Sequence, residues 1–167
     1  MDGWVIRLAK LWRPRLTKPV FVGITGSAGK TTTKELLLGV LSHKSRGTAN
    51  PGTLNVLPEV AKTILRVRSS HAFCIAELTE DKPGVMDEQL ALLQPSIGIV
   101  TIVQNDHEAA FSSVDGIALE MQKLVAYLPA TGTALHTKLD FVQSLLAAKS
   151  KNEFVAILDT LAWKCAR

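Results

Sequence analysis

The stretch VFVGITGSAGKTTTKELL, residues 20–37, decides how this chain folds. A run of β-branched and aromatic residues, Val20–Thr25, predicts a buried strand that stops at the first glycine of the turn behind it. Lys30–Lys44 then follows helical spacing, with one apolar face formed by Leu37, Val40 and Leu41. A strand, a glycine-bearing turn and a helix in direct succession are typical of an α/β domain with its turn at a sheet edge.

The rest of the chain repeats this alternation of strands and helices. Apolar runs predict further strands at Ala72–Leu78, Ile97–Val103 and Thr133–His136. One-sided spacing predicts helices at residues 2–13 (Trp4, Leu8, Leu11 and Trp12 on one side, ending before Pro14), at Leu57, Val60, Ala61, Ile64 and Leu65, at Val85–Leu93, and at Ile117, Met121, Leu124, Val125 and Leu128. Residues 45–53 are rich in turn formers and are predicted to be loop. The predicted fold class is α/β: a doubly wound, mostly parallel sheet with a phosphate loop and helices on both faces.

Composition bounds the class of protein. The chain has 167 residues, 47% of them hydrophobic, which suits one domain with a short appendage. Its longest apolar run is far shorter than the roughly 18 residues of a membrane span, and charges interrupt the first apolar stretch, unlike a secretory signal. Two cysteines, Cys74 and Cys165, make neither a disulfide framework nor a metal-ligand spacing. A cytoplasmic protein without a transmembrane segment is therefore expected.

The charge distribution limits the expected partners. The formal net charge is +4, and five basic residues lie in the first eighteen positions: Arg7, Lys10, Arg13, Arg15 and Lys18. Such a basic leader permits weak contact with an anionic membrane surface, although short basic segments are usually solvated faces. Aromatic and basic residues are not interleaved as they are in RNA-binding surfaces, so nucleic acid is not an expected partner.

The turn after the first strand has the residues of a phosphate loop. Gly26 and Gly29 allow the backbone to turn its N–H groups toward phosphate oxygens, and the following helix adds its positive end. Lys30 can reach the terminal phosphates and Thr31 can offer its hydroxyl to Mg²⁺. The strict pattern has glycine where Ile24 stands, and the alternative is a glycine–serine turn followed by an unrelated lysine. The predicted nucleotide-binding residues of the loop are Thr25, Gly26, Ser27, Ala28, Gly29, Lys30, Thr31 and Thr32.

An acid that ends the next strong strand is the predicted metal carboxylate. Glu77 closes the run AFCIAE, where phosphate-loop proteins place an acid that holds Mg²⁺ directly or through water. The alternative is a surface glutamate at a strand end. Further acids follow it, so the choice of Glu77 depends on strand position: Glu80, Asp81, Asp87 and Glu88.

Four motifs in order resemble the central ATP-binding domain of the Mur ligases. They are GITGSAGKTTTKELL, GTLN at residues 52–55, IAEL at residues 75–78 and NDH at residues 105–107. Within the family the chain is most similar to the ligases that add D-alanyl-D-alanine to a cell-wall precursor. The resemblance covers about residues 4–136, so the domains expected are a leader helix (1–18), an ATP-binding domain (19–136) and a divergent tail packing on it (137–167).

The resemblance implies a site and a reaction. It makes Lys30 and His107 the catalytic residues, adds Asn55 beside the nucleotide, and gives Thr31, Glu77 and His107 to magnesium. The implied cofactors are ATP and Mg²⁺, and the implied chemistry is amide formation in which ATP activates a carboxylate as an acyl phosphate. The alternative for His107 is an ordinary polar loop residue.

Two departures from the family pattern bear on activity. The family carries a lysine whose carbamate bridges the two metals, and an ungapped count from His107 places Met121 there. Met121 lies on the apolar stripe, whereas Lys123 is expected to face solvent and Glu120 lies off the stripe. A thioether is a poor ligand for Mg²⁺. Segments corresponding to the first and third ligase domains are also not evident.

Three hypotheses for function follow. The chain is either a ligase module, with the missing domains supplied by a separate chain or lost, or an ATP-binding domain that is regulatory or a remnant. A generic phosphotransferase or hydrolase is the third, and GTLN and NDH in order speak against it. The departures favour an isolated chain without ligase turnover.

Overall fold

The computed structural model of the chain describes residues 3–103, 114–136 and 154–156. Its helices are α1 (Gly3–Trp12), α2 (Lys30–Ser42), α3 (Leu57–Arg66), α4 (Val85–Leu93) and α5 (Val114–Tyr127), and a 3-10 turn spans Arg13–Arg15. Its strands are β1 (Val20–Thr25), β2 (Gly47–Ala49), β3 (Phe73–Glu77), β4 (Ile97–Val100), β5 (Thr133–His136) and β6 (Phe154–Ala156). In this part of the chain no helix is long and apolar enough to cross a membrane.

The strands form one six-stranded sheet in the order β2-β3-β1-β4-β5-β6, with every neighbouring pair parallel. β1 lies at the centre, and Ile24 is in register with Glu77 of β3 and Ile99 of β4. The strand order reverses at β1, so the carboxyl ends of β1, β3 and β4 meet at the switch point where such sheets bind ligands. The predicted doubly wound α/β fold is confirmed.

Helices cover both faces of the sheet because the side chains of each strand alternate between them. On one face, Val22, Ile24, Ile75 and Ile99 pack with the partly buried leucines of α2: Leu37, Leu38 and Leu41. On the other, Phe21, Cys74 and Val100 pack with residues of the remaining helices. The prediction that Val40 faces the core is wrong: it is half exposed, and Leu38 takes its place beside the sheet.

The predicted apolar face of helix α3 is confirmed. Val60, Ala61 and Ile64 are fully buried, and Leu57 and Leu65 are partly buried. Its first turn contains Pro58, which is tolerated there because that backbone nitrogen needs no helical partner. Helix α5 likewise buries its predicted apolar positions Ile117, Met121, Leu124 and Val125, and Leu128, directly after the helix, is buried as predicted.

The leader helix packs by a different face from the one predicted. Val5 and Ala9 are buried against the core, whereas Trp4, Leu8 and Leu11 are 63%, 45% and 65% exposed. Small side chains such as that of Ala9 let two helices approach closely, which explains why the face with Val5 and Ala9 is the one that packs against α3. The prediction that Trp4, Leu8 and Leu11 form the packed side is therefore wrong.

The turn after α1 fastens the leader to the sheet. The Arg13 guanidinium lies 3.6 Å from the centre of the Phe21 ring, donates through Nε to the Leu93 carbonyl at 2.7 Å and through a terminal nitrogen to the Gln94 carbonyl at 2.8 Å. α1 ends before Pro14 as predicted, and the proline then sits in the first turn of the 3-10 segment.

Four strands differ from the sequence-based boundaries. β3 (Phe73–Glu77) is one residue shorter at each end than the predicted Ala72–Leu78. β2 lies inside residues 45–53, predicted as loop, and pairs with β3 as an edge strand. A side chain at Gly47 would meet the Phe73 ring at 2.3 Å, so glycine is required by close approach there. β4 ends at Val100 rather than Val103. β6 lies in the C-terminal tail and pairs with β5, with Leu135 opposite Val155.

Candidate functional site

The glycine-rich loop between β1 and α2 lies against the residues that follow β4. Gly26 has φ 139° and Gly29 has φ 81°, conformations that favour glycine. A side chain on Gly26 would lie 2.0 Å from Thr101 Oγ1, which itself donates to the Ala28 carbonyl at 2.6 Å. The Ser27 N–H donates to the Ile102 carbonyl at 2.6 Å. Of the predicted phosphate donors, the Ser27 N–H is thus engaged within the protein.

The first turn of α2 carries no side-chain cap. Its N-cap residue is Gly29, which has no side chain to accept a hydrogen bond from the helix, and the first turn contains no acidic residue. The earliest helical bond described here is from the Thr33 N–H to the Gly29 carbonyl, at 2.9 Å. Helix N-termini without side-chain caps present N–H groups and a partial positive charge, which suit an anion.

Lys30 meets a buried acid at this end of the helix. Its Nζ lies 2.5 Å from Glu80 Oε1 and 2.5 Å from the Gly26 carbonyl oxygen. Glu80 is fully buried, and its other oxygen accepts the Thr25 hydroxyl at 3.0 Å. The Lys30 side chain retains 13% exposure. The site thus holds the lysine ammonium beside the loop and pairs it with a carboxylate.

Glu77 ends β3, the strand next to β1, and forms a second group of contacts with Thr31, Lys34 and Asn55. Its Oε2 accepts the Thr31 hydroxyl at 2.9 Å and lies 3.6 Å from Lys34 Nζ, and its Oε1 accepts Asn55 Nδ2 at 3.3 Å. The Glu77 side chain is only 2% exposed, so the alternative of a surface glutamate is wrong. Hydroxyl and carboxylate oxygens together are ligands of the kind that Mg²⁺ prefers.

Two amide side chains hold this second group in place. Asn50 accepts the Glu77 N–H at 2.8 Å and donates to the Glu77 carbonyl at 3.1 Å and to the Leu54 carbonyl at 2.7 Å. Gln89 of α4 donates to the Asn55 carbonyl at 2.5 Å and accepts the Thr79 N–H at 3.0 Å. The end of β3 and the loop that carries Asn50 and Asn55 are therefore fixed to each other through buried polar contacts.

The structure thus brings most of the predicted site residues to one edge of the sheet. Thr25 and Lys30 meet at Glu80, while Thr31, Asn55 and Glu77 meet one another. Thr32 is exposed on the first turn of α2 and has no described contact with the group. His107 lies outside the described residues, as do Asn105, Asp106 and Glu108, so its catalytic and metal roles remain predictions.

Two charged residues of the site were not predicted. Glu80 follows β3 instead of ending it, so strand position in the sequence favours Glu77. Lys34 is fully buried and also donates to the Gly52 carbonyl. Its signal in the sequence is its place four residues after Lys30, one helical turn along the same face. Among the described residues, no three histidine, cysteine, aspartate or glutamate side chains form a metal-binding group.

The position of the expected bridging lysine is part of the core. Met121 is 1% exposed in the main apolar cluster, which confirms its inward orientation. Glu120 is buried and accepts the N–H groups of Gly84 and Met86 at 2.9 and 3.1 Å, so it caps α4. Lys123 keeps 34% of its side chain exposed, and its Nζ lies 2.6 Å from Asp87 and 2.8 Å from Glu120.

The surroundings of Lys123 favour its charged form. Partial burial lowers the pKa of Lys123. The hydrogen bonds that its ammonium donates to Asp87 and Glu120, together with the negative charges of these acids, outweigh that effect and raise the pKa above its ordinary value. Both acids are therefore engaged at α4.

Comparison with known proteins decides the family. The Mur ligase middle domain profile matches residues 24–160, most of the chain. The chain belongs to the Mur ligase family. This middle domain is 37% identical over 133 residues to the UDP-N-acetylmuramoyl-tripeptide–D-alanyl-D-alanine ligase of Synechocystis, and 36% identical over 104 residues to that of Borreliella burgdorferi. The profile extends past residue 136, where the motif resemblance ended.

Solved structures agree on the fold of the Mur ligase middle domain. The chain superposes on MurF from Acinetobacter baumannii with a TM-score of 0.83 at 23% identity, covering 93% of this chain and 34% of that one. A MurF ligase from Thermotoga maritima in complex with ADP gives a TM-score of 0.82 at 21% identity, covering 92% and 36%. The two ligases from Synechocystis and Borreliella are matched over 77% and 62% of this chain but 28% and 22% of their own lengths.

Proposed function

We propose that this Mur ligase middle domain binds ATP·Mg²⁺ as the nucleotide module of a cell-wall precursor ligase. The observation that supports it most is the pairing of Thr31 with Glu77 at the switch point of the sheet, between the uncapped start of α2 and the end of β3, with the Lys30 ammonium held beside the loop by Glu80. The relative solved with ADP has the same fold, which supports a nucleotide as the ligand.

The residues present fit both groups of the cofactor. For the phosphates they offer the α2 N-terminus and an ammonium with three donors, of which Glu80 and the Gly26 carbonyl take two. The proposed cradle comprises Thr25, Gly26, Ser27, Ala28, Gly29, Lys30, Thr31 and Thr32, with Asn55 beside it. For Mg²⁺ they offer the Thr31 hydroxyl and the Glu77 carboxylate, and His107 is proposed to join them.

The proposed reaction is that of an acid–amino-acid ligase. Bound ATP·Mg²⁺ would supply the phosphoryl group that activates a substrate carboxylate for attack by an amine. Lys30 and the α2 N-terminus would stabilise negative charge on the phosphates, which is the main contribution of such a site. The chain spans about a quarter of the length of the relatives it matches. We therefore propose that other domains, in this chain's full protein or in a separate chain, bind the two substrates.

A non-catalytic ATP-binding role is the second candidate, and the burial of Met121 favours it. The family pattern requires a metal-bridging lysine on this helix, and here the apolar core takes that position. A regulatory domain or a remnant of a ligase would keep the nucleotide site and lose the bridge. The isolated chain is expected to form no amide product under either candidate.

Titration calorimetry tests nucleotide binding. We expect ATP·Mg²⁺ and pyrophosphate·Mg²⁺ to bind the purified chain and adenosine alone to bind weakly. The proposed donors, the α2 N-terminus and the Lys30 ammonium, bind phosphate and not the nucleoside. ATP with a chelator should bind more weakly, and Thr31→Val should lose most of the response to Mg²⁺. Equal affinity for ATP and adenosine would contradict the phosphate site.

A mass-detected ligation assay separates the two candidates. The chain is mixed with ATP, Mg²⁺, a UDP-sugar tripeptide and a dipeptide, with and without the first and third domains supplied from a relative. Amide product only on addition of both domains supports the ligase module, and no product with normal ATP binding supports the non-catalytic role.

Location and surface contacts are also proposed. We place the protein in the cytoplasm, where such precursors are made, without nucleic acid as a partner. Exposed Trp4, Leu8 and Leu11 together with Arg7 and Lys10 suit weak contact with an anionic membrane surface. Sedimentation with phosphatidylserine vesicles tests this: Leu8→Glu/Leu11→Glu should abolish binding, and equal sedimentation of both proteins would contradict it.

A further inference from the structure

The buried carboxylate of Glu80 has no part in the nucleotide site as proposed so far. It is fully buried, lies 2.5 Å from Lys30 Nζ and accepts the Thr25 hydroxyl through its second oxygen at 3.0 Å. It therefore neutralises the lysine on which phosphate binding is proposed to depend. A site built only to attract phosphate has no need of an acid at this position.

We propose that Glu80 competes with nucleotide phosphate for the Lys30 ammonium and so sets the affinity of the loop for polyphosphates. This inference rests on the proposed function, because it assumes that the loop binds phosphate. Nucleotide must either displace Glu80 from the ammonium or share the ammonium with it. In both cases Glu80 lowers affinity, and its removal raises it.

The charges around Lys30 give the direction of the effect. A triphosphate brings several negative charges to the ammonium, and the Glu80 carboxylate on that ammonium repels them. The repulsion is poorly screened because Glu80 is 0% exposed and the Lys30 side chain only 13% exposed. The pair as a whole carries no net charge, so the attraction of the lysine for an incoming anion is largely cancelled.

The contacts separate Glu80 from the group proposed for Mg²⁺. Glu77 contacts Thr31, Asn55 and Lys34, whereas the described partners of Glu80 include Lys30 and Thr25. Each of the two acids thus has its own lysine from α2. The Glu77 pair lies at the proposed metal group, and the Glu80 pair lies at the proposed phosphate group.

The test compares Glu80→Gln with the wild type by calorimetry, using ATP·Mg²⁺, ADP·Mg²⁺ and adenosine. Glutamine keeps the shape but removes the charge: its oxygen can still accept from Lys30, and its amide nitrogen can donate to the Thr25 hydroxyl. Glu59→Gln is the matched control, because Glu59 Oε1 also lies 2.5 Å from a lysine Nζ, that of Lys62, away from the site. We expect Glu80→Gln to bind ATP about tenfold more tightly, with a smaller gain for ADP and none for adenosine.

The dependence on ligand charge distinguishes competition from a structural role. A structural effect of Glu80→Gln would change affinity for all three ligands alike, whereas competition scales with the number of phosphates. The ATP affinity of the variant should also fall more steeply with salt, since it has one more uncompensated positive charge. Glu80→Met, of similar length and uncharged, replaces Glu80→Gln if the latter does not fold.

The outcomes keep this inference apart from the proposed function. If the wild type and Glu59→Gln bind ATP and Glu80→Gln binds it equally or more weakly, competition is overturned and nucleotide binding stands. If none of the three proteins binds ATP, the proposed function itself fails. Tighter binding by Glu80→Gln that grows with phosphate number supports both.

Discussion

Lys34 Nζ lies 3.6 Å from Glu77 Oε2, and the two side chains are 0% and 2% exposed. Lys34 comes one helical turn after Lys30, so the two lysines of GKTTTK reach the same edge of the sheet and meet different acids. A buried carboxylate requires such a partner because a lone charge in the interior is strongly disfavoured. The lysine therefore gives the acid that we propose binds Mg²⁺ a buried ion-pair partner.

Removing the Lys34 ammonium is expected to destabilise the fold. Lys34→Met should lower the free energy of unfolding by about 3 kcal/mol, because Glu77 loses a buried ion-pair partner and the Gly52 carbonyl loses a hydrogen-bond donor. Lys62→Met is the control: its pair with Glu59 is partly exposed and should cost less than about 1 kcal/mol. Urea unfolding measures both, and equal losses would show that the buried pair contributes no more than a surface pair.

The pair of Lys30 and Glu80 should behave as one energetic unit. Lys30→Ala leaves a fully buried carboxylate without its ammonium and should cost about 3 kcal/mol of stability. Lys30→Ala/Glu80→Gln should recover a large part of that loss, since the uncompensated charge is gone. A double-mutant cycle from urea unfolding gives the coupling energy, and additive losses would contradict the pairing.

Met121 is expected to resist conversion to the lysine of the family pattern. It is 1% exposed in the apolar cluster, so Met121→Lys should lower the free energy of unfolding by about 3 kcal/mol. Met121→Leu keeps the volume and the polarity and should cost less than about 1.5 kcal/mol. Thermal unfolding compares the two variants. A stable Met121→Lys protein that gains ligase turnover would mean that this position faces the site.

The thiol of Cys74 should make stability fall at high pH. Burial raises the pKa of Cys74 to about 12 from its ordinary value of 9.0, with the positive charges of Arg13 and Arg66 opposing this. The folded thiol keeps its proton while the unfolded one loses it, so this contribution is complete below pH 9 and declines as pH rises toward 12. Between pH 8 and pH 10 the wild type should lose about 1.4 kcal/mol more than Cys74→Ala. Identical pH profiles in urea unfolding would contradict the burial of the thiol.

The parts of the fold that depend on periodicity could be predicted from the sequence. Val20–Thr25, Val85–Leu93 and Thr133–His136 have the predicted bounds, because each is an apolar run or stripe between turn formers. Strand β2 could not be predicted, since three residues, Gly-Thr-Ala, carry no alternation and the edge position depends on pairing with β3. The exposed face of α1 was also missed because Val5 and Ala9 are smaller than the aromatic and leucine side chains beside them.

The site could be predicted where a motif fixed both residue type and strand end. Lys30 and Thr31 follow from the glycine-rich turn after β1 and Glu77 from the end of a strand, whereas Asn55 follows from the family resemblance. The structure places Thr31, Asn55 and Glu77 together, while the lysine turns to Glu80. Lys30 and Glu80 are 50 positions apart in the sequence, and no local sequence pattern specifies such a contact. The buried state of Lys34 likewise depends on the packing of α2 over β3.

The account depends most on Lys30 as the ligand of nucleotide phosphate. The sharpest measurement is calorimetric titration of ATP·Mg²⁺ into three proteins: the wild type, Glu80→Gln, and Lys30→Ala/Glu80→Gln, whose fold is expected to be close to that of Glu80→Gln. We predict that the first two bind and that the third loses at least about 100-fold in affinity relative to Glu80→Gln. Undiminished binding by a folded Lys30→Ala/Glu80→Gln protein would contradict the phosphate site at this loop.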